Sequence, residues 1–131
     1  MTANPYSAYK ENHINTSTPG MLLVLMFENA AKHLNIAIKA VNDKNIQESH
    51  DAIMQVQSIY TALNGFLDSR IPISANLSAL YGYILNKLAE ANIKKDAAAL
   101  EEILGYTAEF RDTWREAEKK IHIDRGLAVA R

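Results

Sequence analysis

The residues able to do chemistry in this 131-residue chain are scattered. A carboxylate-bridged metal site in a helical protein needs inward glutamates together with a Glu and a His three positions apart on one face. No such pair exists. His13, His33, His50 and His122 lie far apart, and the closest cluster, Glu48, His50 and Asp51, has no second ligand group at helical spacing. Its position near a helix start marks it as surface capping. The chain has no cysteine, so it has neither a disulfide framework nor a thiolate nucleophile, which fits a reducing compartment. Gly20, Gly65, Gly82, Gly105 and Gly126 are isolated from one another and form no phosphate-cradling loop. No serine or carboxylate pair stands out as a catalytic group. The expectation is a protein that is not an enzyme, with no catalytic residue, no metal and no cofactor.

Charge narrows the partners. Fourteen Lys and Arg against 15 Asp and Glu leave a formal charge of -1, and the only dense basic runs are Lys94-Lys95 and Lys119-Lys120. Phosphate-backbone binding draws on clustered cations, so a nucleic-acid partner is not expected. The most apolar run, Met21 to Phe27, is far too short to span a bilayer, and the N-terminus lacks the basic-then-apolar pattern of a secretory signal. A soluble, cytoplasmic protein without membrane insertion follows as the expectation.

The elements that would position any site are helices. Gly and Pro punctuate long stretches of helical periodicity, and 48% of the residues are hydrophobic, enough for one core. After Asn4-Pro5, residues Tyr6 to Asn12 read as a short helix. Thr18 is placed to cap a first long helix that Pro19 starts and that runs to about Asn42. Asn45 with Glu48 three residues on resembles a capping box and opens a second, to about Asp68. Ile71-Pro72-Ile73 breaks the pattern; Ser74 or Ala75 opens a third, to about Ile93, and Asp96 caps a fourth, to about Lys120. The fold class is all-α: an antiparallel four-helix bundle with a short extra N-terminal helix. The whole chain, 1–131, is expected to be a single domain, with a mobile arm at 1–17, the bundle at 18–120 and a tail at 121–131.

Ile53, Val56, Tyr60, Leu63 and Leu67 form the clearest bundle seam, matched by Leu77, Leu80, Tyr81, Ile84, Leu88 and Ala91, and by Leu100, Ile103, Phe110, Trp114 and Ala117. The first long helix is apolar on more than one side, through Met21–Phe27, Ala30, Ala31, Leu34, Ile36, Ala37, Ile38 and Val41. Such a helix is either central to its own fold or shared with a partner. Ile59 and Phe66 add apolar surface beside the second helix's seam.

Several of these residues carry a resemblance. Asn4-Pro5-Tyr6, Tyr9, Thr16 and Thr18-Pro19 leading into Leu22 and Leu25-Met26-Phe27 resemble the opening of the flagellar secretion chaperones called FliS. Ile59, Leu63 and Leu67-Asp68 are similar to that family's next helix. Ala75-Asn76-Leu77, Leu80-Tyr81, Tyr83, Leu88, Ala91-Asn92 and Asp96 match the one after, and Phe110-Arg111-Asp112-Thr113-Trp114 resembles its final motif. Thr18, Asn29 and Thr113 depart mildly from the family's usual Ser, Gly and Ala. The resemblance implies a cytosolic chaperone that binds the C-terminal helical segment of flagellin, prevents premature polymerisation and keeps the subunit competent for type III secretion. Flagellar export-gate components are a further partner class to test. A helical adaptor for another amphipathic peptide is the alternative.

The residues assigned to the groove or arm on this reading are Tyr6, Tyr9, Leu22, Leu25, Met26, Ile59, Leu63, Leu67, Leu77, Leu80, Tyr81 and Tyr83. They place the groove on the first three long helices, leaving the fourth, with Trp114, to the core. Tyr81 and Tyr83, two apart, cannot face one seam, so one of them is free for a partner or the arm. Tyr6 and Tyr9 share one face of the short N-terminal helix and are expected to shield the groove until a client displaces them.

Overall fold

A computed structural model describes residues 18–130. Four helices follow one another: α1 Pro19–Asn42, α2 Ile46–Gly65, α3 Ile73–Lys94 and α4 Ala97–Ala130. Each packs against the next and α4 returns to α1, which closes a four-helix bundle. The short connections make neighbours antiparallel. The expected helix around Tyr6, together with Tyr9, lies outside the described residues.

The helix starts come from the capping residues. Thr18 Oγ1 accepts from Met21 N at 3.2 Å, Asn45 Oδ1 from Glu48 N at 3.1 Å, and Asp96 Oδ1 from Ala99 N at 3.2 Å. Each satisfies an amide that the first turn leaves without an intrahelical partner. α3 differs: Pro72 occupies its cap position without a side-chain hydrogen bond. Its entry is shaped instead by Asp68, which accepts from Arg70 Nε at 3.0 Å and Nη2 at 2.8 Å and from the Arg70 amide at 3.0 Å. These bonds hold the Asp68 carboxyl below its usual pKa. They also take Asp68 out of α2, which ends at Gly65 rather than at Asp68.

The core holds Val24, Phe27 and Leu34 from α1, Ile53, Val56, Tyr60 and Leu63 from α2, Tyr81, Ile84 and Leu88 from α3, and Leu100 and Ile103 from α4. Among the described residues α1 alone is long and apolar enough to cross a membrane by composition. Its apolarity serves packing: eight of its residues are buried, and it contacts both α2 and α4. α4 continues to Ala130 instead of stopping near Lys120. Its 34 residues correspond to about 51 Å at 1.5 Å per residue, so its last turns extend beyond the helices it packs against.

Several buried polar groups are matched, whereas Asn64 Oδ1 is buried without a hydrogen-bond partner. The Tyr60 hydroxyl lies 2.6 Å from Thr107 Oγ1, and Thr107 donates to the Ile103 carbonyl at 2.8 Å, so the proton between the two hydroxyls belongs to Tyr60. Burial pushes the Tyr60 pKa well above its ordinary value. Glu118, 6% exposed, accepts from Thr18 Oγ1 at 2.5 Å and pins the start of α1 to α4. A Cβ on Gly20 would fall 1.9 Å from Glu118 Oε1, so glycine is what admits this close approach.

Candidate functional site

The seam between α3 and α4 changes character along its length. Only Lys95 and Asp96 join the two helices; Lys95 takes a left-handed conformation with φ 51, and Asp96 N donates to the Ala91 carbonyl at 3.1 Å to close α3. Near this turn the helices are tied by side chains. Lys87 pairs with Glu102, donates to Tyr83 Oη at 3.2 Å and sits 5.5 Å from the centre of the Tyr83 ring. Tyr106 Oη donates to Glu102 Oε1 at 3.2 Å, and its ring meets Tyr83 edge-on at 6.5 Å. The bond to Glu102 raises the Lys87 pKa, and the same bond lowers that of Glu102.

Farther from the turn these ties cease. Tyr81 is the last α3 residue in this direction to insert a large side chain, packing edge-on against Tyr60 at 5.7 Å and Phe110 at 5.6 Å. Burial raises its pKa too. Before Tyr81, only Ser74 of α3 is buried. Leu77 and Leu80 are half-buried, and Ile73 is 60% exposed. With Tyr106, Phe110 and Trp114 of α4 they line an apolar groove of about 310 Å³, with Glu109 and Thr113 on its α4 side. That volume is at the small end of the range for ligand clefts, roughly 300–1,000 Å³. It suits a few inserted side chains better than an enclosed cofactor. The α2–α3 loop also exposes apolar side chains, Phe66 at 57% and Ile71 at 50%.

The residues assigned from sequence divide into three sets. Met26, Ile59, Leu63 and Tyr81 are buried in the core. Leu22, Leu25, Leu67, Leu77 and Leu80 are half-buried. Tyr83 is 46% exposed, so the two neighbouring tyrosines do point to different surroundings. Leu77 and Leu80 meet in the groove, whereas Leu22, Leu25 and Leu67 are not among its lining residues. Ile73, Tyr106, Phe110 and Trp114 complete the groove, making the fourth long helix one of its walls. Their signal was the four-residue spacing of Tyr106, Phe110 and Trp114. Tyr106 lies to one side of the Leu100–Ile103–Thr107 seam, whereas Phe110 and Trp114 continue its spacing of three and four, so the stripe widens that face. Among the described residues no three His, Asp or Glu side chains converge on a metal-sized site. His50 instead shares a 3.0 Å hydrogen bond with Asn92, linking α2 to α3.

Comparison with known proteins adds to this geometry. The family model described as "Flagellar protein FliS" matches residues 2–121. The flagellar secretion chaperone FliS of Bacillus subtilis strain 168 is 35% identical over 122 residues, covering 93% of this chain and 92% of that protein. The chaperone of the same description from Salmonella typhimurium is 27% identical over 126 residues, covering 91% and 93%. A solved structure, described as a crystal structure of a flagellar chaperone from bacteria, superposes with a TM-score of 0.73 at 18% identity, over 88% of this chain and 95% of that one. It supports the fold.

Proposed function

The chain belongs to the FliS family of flagellar proteins, and from that premise we propose that it is a non-enzymatic chaperone for the C-terminal helical segment of flagellin, acting in the bacterial cytoplasm before type III export. The observation that carries this reading is the groove between α3 and α4. It is an apolar surface on a folded bundle, made from aromatic and leucine side chains that the core leaves half-covered.

The chemistry matches such a client. An amphipathic segment that is disordered alone exposes an apolar stripe once it begins to fold. Laid into a groove as a helix, it buries that stripe and gains roughly 25 cal/mol per Å² of apolar surface removed from water, against the entropy of ordering. Leu77, Leu80, Phe110 and Trp114 serve as the receiving surface, and Leu22, Leu25 and Leu67 support a wrapping client elsewhere on the bundle. Tyr6 and Tyr9 belong to an arm that covers client-binding surface before the client arrives. Binding of this kind requires no nucleotide, and covering the segment withholds it from polymerisation. Export-gate components are the partners expected to receive the loaded complex.

Calorimetric titration with flagellin, and with flagellin lacking its C-terminal segment, tests the assignment. Full-length flagellin should bind with a clearly negative heat-capacity change, and the truncated form should not bind. Equal binding by both would remove the proposed client, and equal binding of unrelated amphipathic helices would favour the general adaptor.

A further inference from the structure

The two walls of the groove differ in charge, and the difference follows a register. Lys87 of α3 pairs with Glu102 of α4 near the turn that joins them. In an antiparallel pair, seven residues back along α3 corresponds to seven forward along α4, two helical turns in each case. Extended along the pair, that register puts Leu80 level with Glu109, both of which line the groove, and Ile73 level with Glu116, which lies beyond the lining and has Lys119 and Lys120 three and four residues on along its own helix. The acidic row Glu102, Glu109, Glu116 thus keeps its heptad spacing, while the facing row changes from lysine to leucine to isoleucine. From Ile73 to Asn86 α3 has no charged residue at all. Glu109 and Glu116 are both exposed, and Glu109 is part of the groove's lining. At neither carboxylate does α3 offer the cation that it supplies to Glu102.

We infer that the groove seats an amphipathic client helix with basic residues seven positions apart on the flank facing α4, and that Glu109 and Glu116 select for them. The inference rests on the client being helical, as proposed above. The apolar stripe of that helix enters between Leu77, Leu80, Phe110 and Trp114. One flank lies over the uncharged wall of α3 and takes small or neutral side chains. The other brings Lys or Arg to the two carboxylates, repeating on the client what Lys87 does within the bundle. Client helices with acidic residues on that flank meet like charges, so the row sets both the orientation and the identity of what binds. Burial of the apolar stripe remains the larger source of affinity, and the acidic row supplies the discrimination.

Two synthetic amphipathic peptides of about 20 residues, long enough for a stable bound helix, test this with the full chain. They share one leucine stripe and differ only in carrying Lys or Glu at two flank positions seven apart. The Lys peptide should bind about tenfold more tightly at low salt, as expected for two exposed charge pairs changing from attraction to repulsion. The E109Q/E116Q variant should bind the two peptides alike, and E109K/E116K should prefer the Glu peptide. Circular dichroism of both variants checks that the bundle is intact. Equal affinity of the peptides for the native chain, a preference that survives in E109Q/E116Q, or no binding of either peptide would overturn the inference. The flagellin C-terminal segment, titrated in parallel, separates the two claims. If it binds the native chain and E109K/E116K equally, the selection by charge fails and the client assignment stands. If it does not bind the native chain, the client assignment fails, while the peptide pair still decides whether the groove reads charge.

Discussion

α4 forms two seams, and they are built differently. Against α1 it is closed from Phe110 to Glu118: Phe27 stacks on Phe110 at 5.2 Å, Arg115 pairs with Glu28, and Glu118 accepts from Thr18 at 2.5 Å. Against α3 it is closed only near the turn, by Tyr83, Lys87, Glu102 and Tyr106. Beyond Tyr81 it faces half-covered leucines across a groove. The difference lies in what the two partner helices present. α1 contributes eight buried residues over 24, whereas α3 contributes five over 22, four of them from Tyr81 onward. On the proposed reading, the bundle uses the same helix for stability on one side and for recognition on the other.

Truncating one side chain on each seam should separate these roles most strongly. Phe27, with no exposed surface, should cost about 3–5 kcal/mol of unfolding free energy on replacement by Ala. Leu80→Ala should cost less than about 1.5 kcal/mol, because its site is already half open and leaves little cavity, yet it should weaken flagellin binding markedly. Urea unfolding and calorimetric titration of both variants measure the contrast. If Leu80→Ala proves as destabilising as Phe27→Ala, the groove is core and the distinction collapses.

The closed seam has a second point to test. Gly20→Ala should force Glu118 away from Thr18, at a cost of about 1–2 kcal/mol in stability. In a Glu118→Ala background the same change should be neutral or slightly stabilising, since alanine is the better helix former. Chemical denaturation of the four proteins decides this. A full cost that persists without Glu118 would assign the glycine another role.

The arm sharpens the comparison from the binding side. Deleting residues 1–12 should tighten or speed flagellin binding by several-fold, by removing a competitor for the groove, and should make the free protein more prone to associate. Replacing only Tyr6 and Tyr9 by Ala should act in the same direction. Weaker binding by both variants, with the free protein still monodisperse, would make the arm a direct contact or a staple.

The smallest effect concerns pH. Burial, with the nearby Lys32 charge, lowers the pKa of His33 below 6.5. A group whose folded-state pKa is depressed contributes stability above its unfolded pKa and loses it as pH falls through the folded value. Thermal stability should therefore fall slightly below about pH 6.5, and His33→Gln should flatten that part of the profile. An unchanged profile in the variant would assign the pH dependence to other groups.

Much of the bundle was legible in the chain because capping is local chemistry. Thr18, Asn45 and Asp96 each begin a helix where their side chains reach the free amides of the first turn. The helix ends were harder. Asp68 looks like a continuation of α2, but it serves the Arg70 turn instead. Lys119-Lys120 looks like a terminus because the apolar seam stops nearby, yet the strong helix formers from Arg115 to Lys120 carry α4 onward. The groove was legible in part. Leu77 and Leu80 stood out by type, but their partners Phe110 and Trp114 match core residues in spacing, and only the packing of α3 distinguishes a seam that closes from one that does not. Met26, Ile59 and Leu63 show the converse: their side chains would suit a binding surface, and the bundle buries them.

Hydrogen exchange, measured on the full chain with and without the flagellin C-terminal segment, tests the central claim most directly. Amides of residues 73–80 and 106–114 should gain protection on binding, while those of α1 around the buried Phe27, on the closed side of α4, should change little. Protection gained elsewhere, with residues 73–80 and 106–114 exchanging as before, would contradict the assignment of the α3–α4 groove as the client site.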